Sequence, residues 1–251
     1  QLKNQDIFKL YESSGYDLFH GPFFKTADIM TLRKLSVNEV SRFNLLKLME
    51  KKKPDLPKIV EALKFDTTLS YRLFSYLNSA AFGFRQKIKS VQHAVMLLGW
   101  HKLKNWLRVV LLEELNQSRY ASALMFMAIQ RGKFLETIAR ENDYWGFEPD
   151  TLQLLGMFSL LDAMLQIPMA DIVVHLPLEE KLKSALLSEP NNEYLPLLQL
   201  AQVMEDVKWE MVERLTKKLN LEIVKVSAAF KASIEWAIEW LEIQSNQVEE
   251  K

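Results

Sequence analysis

Four histidines, His20, His93, His101 and His175, and no cysteine form the metal-binding and proton-transfer inventory of this 251-residue chain. Imidazole has to supply most such sites when thiolate is missing. The four are poorly placed for it. His93 and His101 stand eight residues apart across Gly99, and no H-x-x-x-H, H-E-x-x-H or H-D occurs. The phosphate-cradling G-x-x-x-x-G-K-[ST], the dinucleotide G-x-G-x-x-G and the nucleophile elbow G-x-S-x-G are also absent. No catalytic residue, metal or cofactor is therefore expected.

Two charged residues stand among apolar neighbours. Arg131 shares a helical stripe with Leu124, Ala128, Leu135 and Ile138, and Asp162 lies in the run Phe158 to Leu165. A charge buried alone is costly, so Arg131 is expected to pair with Asp162 or, failing that, with Glu136. A structural pair that fixes helix register is favoured over a catalytic one.

The elements that must hold these residues are helices. From Ser41 onward apolar residues recur at helical spacing and no alternating run appears, which predicts an all-α body. Its expected helices start near Ser41, at Pro57, after Asp66 and after Ser90, followed by Trp100 to Leu115, Ser122 to Glu141 and Pro149 to Leu165. Short segments to Leu187 precede Tyr194 to Met204, Asp206 to Leu219 and Ile223 to Ile243. His101, Lys102, Lys104 and Arg108 are read as a solvated basic face. The first forty residues differ: a possible helix from Leu2 to Ser13 precedes Gly15 to Phe24, an aromatic run that reads as one strand with its turns. One strand cannot stand alone, so residues 1–40 read as the tail of a preceding domain, and the opening Gln1 as a cut from something longer.

The most distinctive pattern is Asn78-Ser79-Ala80-Ala81-Phe82-Gly83, then Ile88-Lys89-Ser90-Val91, then Ala94 and Leu98-Gly99. Ser90 is placed to cap a helix and Gly99 to end it. Asn78 can bond freed carbonyls at a helix end, and Phe82 can fill a gap under the turn. The same amide and hydroxyl groups of Asn78, Ser79 and Ser90, with Phe82 and Gly83, would also serve as a recognition surface. The structural role is favoured.

This signature resembles that of HDOD domains, the HD-related output domains of bacterial signalling proteins. Arg131-Gly132-Lys133-Phe134-Leu135-Glu136, Gly156 to Asp162 and His175-Leu176-Pro177-Leu178 resemble the form fused to EAL domains. Gly15 to Phe24 then resembles a late strand of an EAL barrel, with His20 and Pro22 where glutamine and tyrosine are usual. The resemblance implies an HD-like multi-helix domain over 41–245, preceded by an EAL remnant over 1–40. Catalytic HD proteins draw metal ligands from a Gly-Leu-Leu-His-Asp-like segment. With Gly156 on its glycine, Ser159 and Leu160 stand at the His and Asp places; with Asp162 on the aspartate, Leu161 stands at the histidine.

The implied function is a non-enzymatic output module of bacterial signal transduction, of response-regulator type and linked to cyclic di-GMP, acting on a protein partner in the cytoplasm. One alternative is an HD-type phosphohydrolase using Asp162 with Asp143 or Asp171. Another is a cyclic-dinucleotide site built from Arg72, Arg85 and Arg108. Thirty-two Lys plus Arg against 32 Asp plus Glu leaves no net field to favour nucleic acid. No membrane span is expected, and oligomeric state is left open.

Overall fold

A computed structural model describes residues 5–15, 25, 33–51, 53–77, 90–116, 118–142, 146–176 and 178–245. Among them there are helices and no strand, as the spacing requires. The run 16–24, expected as a strand, lies outside the described residues. The helices are α1 (Gln5–Ser13), α2 (Val37–Met49), α3 (Leu56–Phe65), α4 (Thr67–Leu77), α5 (Val91–Leu98), α6 (Trp100–Leu115) and α7 (Ala121–Glu141). They continue as α8 (Pro149–Phe158), α9 (Leu161–Leu165), α10 (Met169–Val173), α11 (Glu180–Leu186), α12 (Leu195–Glu205), α13 (Trp209–Lys218) and α14 (Ile223–Ser245).

The chain divides into two compact units. One comprises residues 1–34, 116–174 and 178–237; the other comprises 35–115, 175–177 and 238–251. In the first unit α7 and α8 share the most extensive packing. Phe134 and Phe230 meet edge to face with centroids 5.5 Å apart, a geometry that aligns ring edge with ring face. The buried Gln130 donates to Ser233 Oγ at 2.9 Å, which in turn donates to the Phe230 carbonyl. α1 joins this unit through Phe8, 5% exposed, which lies under the Arg119 guanidinium at 4.6 Å and against Tyr120.

The second unit shows how local chemistry sets helix ends. α2 begins at Val37, ahead of Ser41, because Ser36 and Glu39 form a reciprocal capping box that stabilises an earlier start. Asp66 Oδ1 accepts from the Leu69 amide and opens α4. Ser90 Oγ accepts from the His93 amide and opens α5, and Gly99 closes it at φ +75°, ψ 160°. Trp106, 1% exposed, stacks on Tyr76 with centroids 5.9 Å apart.

The expected helix Pro149 to Leu165 is broken into α8 and α9. Ser159 causes the break: its hydroxyl donates to the Gly156 carbonyl at 2.6 Å and its amide reaches the same carbonyl at 3.4 Å. Bonds to the third residue back tighten the last turn and end the α ladder there.

Candidate functional site

The site is built where α7 and α8 run backbone against backbone. A Cβ on Gly156 would lie 2.6 Å from the Gly132 nitrogen and 2.7 Å from the Arg131 carbonyl carbon and oxygen, so only glycine permits this approach. The contact places Arg131, one residue before Gly132, beside Ser159, three residues after Gly156. Arg131 is 2% exposed.

Arg131 uses three edges of its guanidinium. Nε donates to Glu205 Oε1 at 2.7 Å, Nη2 to Glu205 Oε2 at 2.8 Å and Nη1 to Ser159 Oγ at 2.6 Å. The two parallel bonds to Glu205 are the fork geometry that makes an arginine–carboxylate pair strong and directional. Lys25 reaches the same carboxylate, its Nζ lying 2.9 Å from Glu205 Oε2 and 3.0 Å from Asp206 Oδ1. Lys208 closes the group on Asp206 Oδ2 at 2.6 Å. Burial by itself would raise the Glu205 carboxyl, but the charge and hydrogen bonds of Arg131, and then of Lys25, hold it below its ordinary value.

The expected partners of Arg131 need correction: the carboxylate on its guanidinium is Glu205, not Asp162 or Glu136. Asp162 turns Oδ1 back to the Ala163 amide at 2.9 Å, and burial raises its pKa against the weaker pull of that bond and of the Arg131 charge. Glu136, 3% exposed, is buried as expected, but it pairs within its own helix with Lys133 at 3.0 Å and Arg140 at 2.5 Å. Helical spacing identified Arg131 as buried. The signal for Glu205 was fainter: it continues the buried stripe of Leu198 and Ala201 at the end of α12. Lys25 carries no sequence signal.

The motif residues Asn78, Ser79, Phe82 and Gly83 lie outside the described residues, as do His20, Pro22, Arg85 and Asp143. Ser90 and Gly99 act as the start and stop of α5. Arg108 is not on a solvated face: it is fully buried and forks onto Glu50 at 2.8 and 2.9 Å, where Lys104 also binds at 3.0 Å. Its misreading has a local cause, since the residues one turn back, Lys104 and Asn105, are polar while its partner lies 58 residues away. Arg72 is likewise held by Glu113 and Glu114. Neither cation is left uncompensated for a cyclic dinucleotide. His93 and His101 are exposed, and His175 stacks on Phe43. Among the described residues no three His, Asp or Glu side chains come together in a way that could hold a metal ion.

The helical make-up and the α4–α5 sequence signature are those of an HD-related output domain. The chain belongs to the HDOD domain family, which it matches over residues 37–179, more than half its length. It is 31% identical over 242 residues to the uncharacterized protein YuxH of Bacillus subtilis (strain 168), covering 96% of this chain and 57% of that one. It is 25% identical over 237 residues to the cyclic di-GMP phosphodiesterase CdgJ of Vibrio cholerae serotype O1, covering 94% of this chain and 54% of that one. The chain thus spans little more than half the length of these relatives. No solved structure matches it. Among the described residues no helix is long and apolar enough to cross a membrane.

Proposed function

We propose that this chain is a non-enzymatic regulatory module of bacterial signalling that works in the cytoplasm through contact with a protein partner. The carrying observation is Arg131. Metal-assisted phosphoester hydrolysis needs imidazole and carboxylate groups around a cation that activates water. Here a guanidinium sits between Ser159 and Glu205, bonded to both, and the resemblance puts Ser159 or Leu161, according to register, where a catalytic HD protein has its dyad histidine. A permanent organic cation satisfies the carboxylate and leaves no coordination position for water. The side chains present, a serine hydroxyl, the hydrocarbon of Leu160 and an arginine-bound carboxylate, do not fit a divalent metal.

The link to cyclic di-GMP is proposed from the likeness to CdgJ, whose name states that activity. Residues 1–40 are proposed as the end of an EAL domain and 41–245 as the HDOD unit. Asn78, Ser79, Phe82, Gly83, Ser90 and Gly99 are proposed to shape the α4–α5 region rather than to bind a ligand. Elemental analysis and a cyclic di-GMP hydrolysis assay on the purified protein test the reading. Less than a tenth of an equivalent of iron, manganese or zinc and no turnover are expected. A stoichiometric metal that is lost in an Asp162→Ala, Asp171→Ala or Glu205→Gln variant would overturn it in favour of a phosphohydrolase.

A further inference from the structure

We propose that Lys25 is a coupling contact, through which the segment ahead of the family-matched helices is tied to the buried Arg131–Glu205 pair. One oxygen carries the argument: Glu205 Oε2 accepts from Arg131 Nη2 at 2.8 Å and from Lys25 Nζ at 2.9 Å. Two cations from distant parts of the chain share a single acceptor. The Glu205 side chain is 6% exposed and that of Lys25 19%, so solvent screens the interaction little. Removing the lysine changes the electron density and hydrogen-bond geometry that the carboxylate offers to the arginine.

The contact is long-range, since Lys25 and Glu205 are 180 residues apart and both fall outside 37–179, whereas Arg131 falls inside. Lys25 is held a second time by Asp206, which fixes it at the α12 end. The same N-terminal stretch is held at α1, where Phe8 lies under Arg119, and Glu12 meets that arginine at 3.5 Å. Coupling of this kind is reciprocal: what displaces Lys25 alters α7, and what alters Arg131 changes the hold on Lys25. The idea rests on the regulatory reading only for its biological use.

The test is the arginine Nε–H region of a proton–nitrogen NMR spectrum of the whole chain. Arg108, paired with Glu50 in the other unit, serves as the internal control. In Lys25→Met the Arg131 Nε–H signal is expected to move and its exchange with water to rise about fivefold, the Arg108 signal staying in place. Lys25→Arg is expected to restore both properties. An Arg131 signal unchanged in Lys25→Met, or one that moves together with that of Arg108, would overturn the coupling. Neither outcome bears on metal content, so this inference and the non-enzymatic reading fail separately.

Discussion

At the scale of single residues, burial pushes two carboxyls in the same direction, and their cationic partners decide where each ends. Glu205 is held low by Arg131 and Lys25 despite burial, so its contribution to stability is present above its unfolded pKa and is lost as pH falls through the folded one. Asp162 is raised by burial, so the folded state carries a cost above its folded pKa that disappears below the unfolded one. Asp162→Asn keeps an acceptor for the Ala163 amide and removes the charge. It is expected to raise the urea midpoint at pH 7, and the gain should vanish near pH 3.5; a lower midpoint at pH 7 would show that the charge is needed. Of this centre, the sequence made Arg131 legible because a cation on an apolar stripe is conspicuous. Its partner was not legible, because Glu205 is 74 residues away and helical spacing does not say which helices meet.

Among elements, the α7–α8 seam makes the sharpest demand. In Gly156→Ala the new methyl would meet main-chain atoms of Arg131 and Gly132, which cannot turn aside, so the helices must part. A loss of about 3 kcal/mol in unfolding free energy is expected, at the upper end for overpacking. In Gly132→Ala the nearest atom is the flexible Met157 Cγ at 2.5 Å, with the Gln153 carbonyl oxygen at 3.0 Å. The cost there should be smaller, about 1–2 kcal/mol. Denaturant titration of both variants checks the order, and equal effects would count against a main-chain seam. Helix ends with a local cause were readable, as at Ser90, Asp66 and Gly99. The break at Ser159 was not, because serine there is an ordinary helix residue until Arg131 takes its hydroxyl.

Across the whole molecule, each compact unit holds, among the described residues, an arginine forked onto a glutamate, Arg108 on Glu50 and Arg131 on Glu205. The described arginines that the sequence offered to phosphate are thus already neutralised, and the net charge of the chain is zero. The protein is expected to pass through a heparin column at 0.15 M salt; retention that falls steeply with added salt would reveal a basic surface. The all-helical class was legible because periodicity is local, whereas the division into two units depends on contacts far apart in sequence.

The arginine centre also decides where the molecule can be cut. Residues 37–179 contain Arg131 and Ser159, but the balancing carboxylate lies beyond them in α12. A fragment trimmed to the family boundary would keep an interior cation and discard its counter-ion. The smallest self-sufficient piece of this protein has to run on through Glu205.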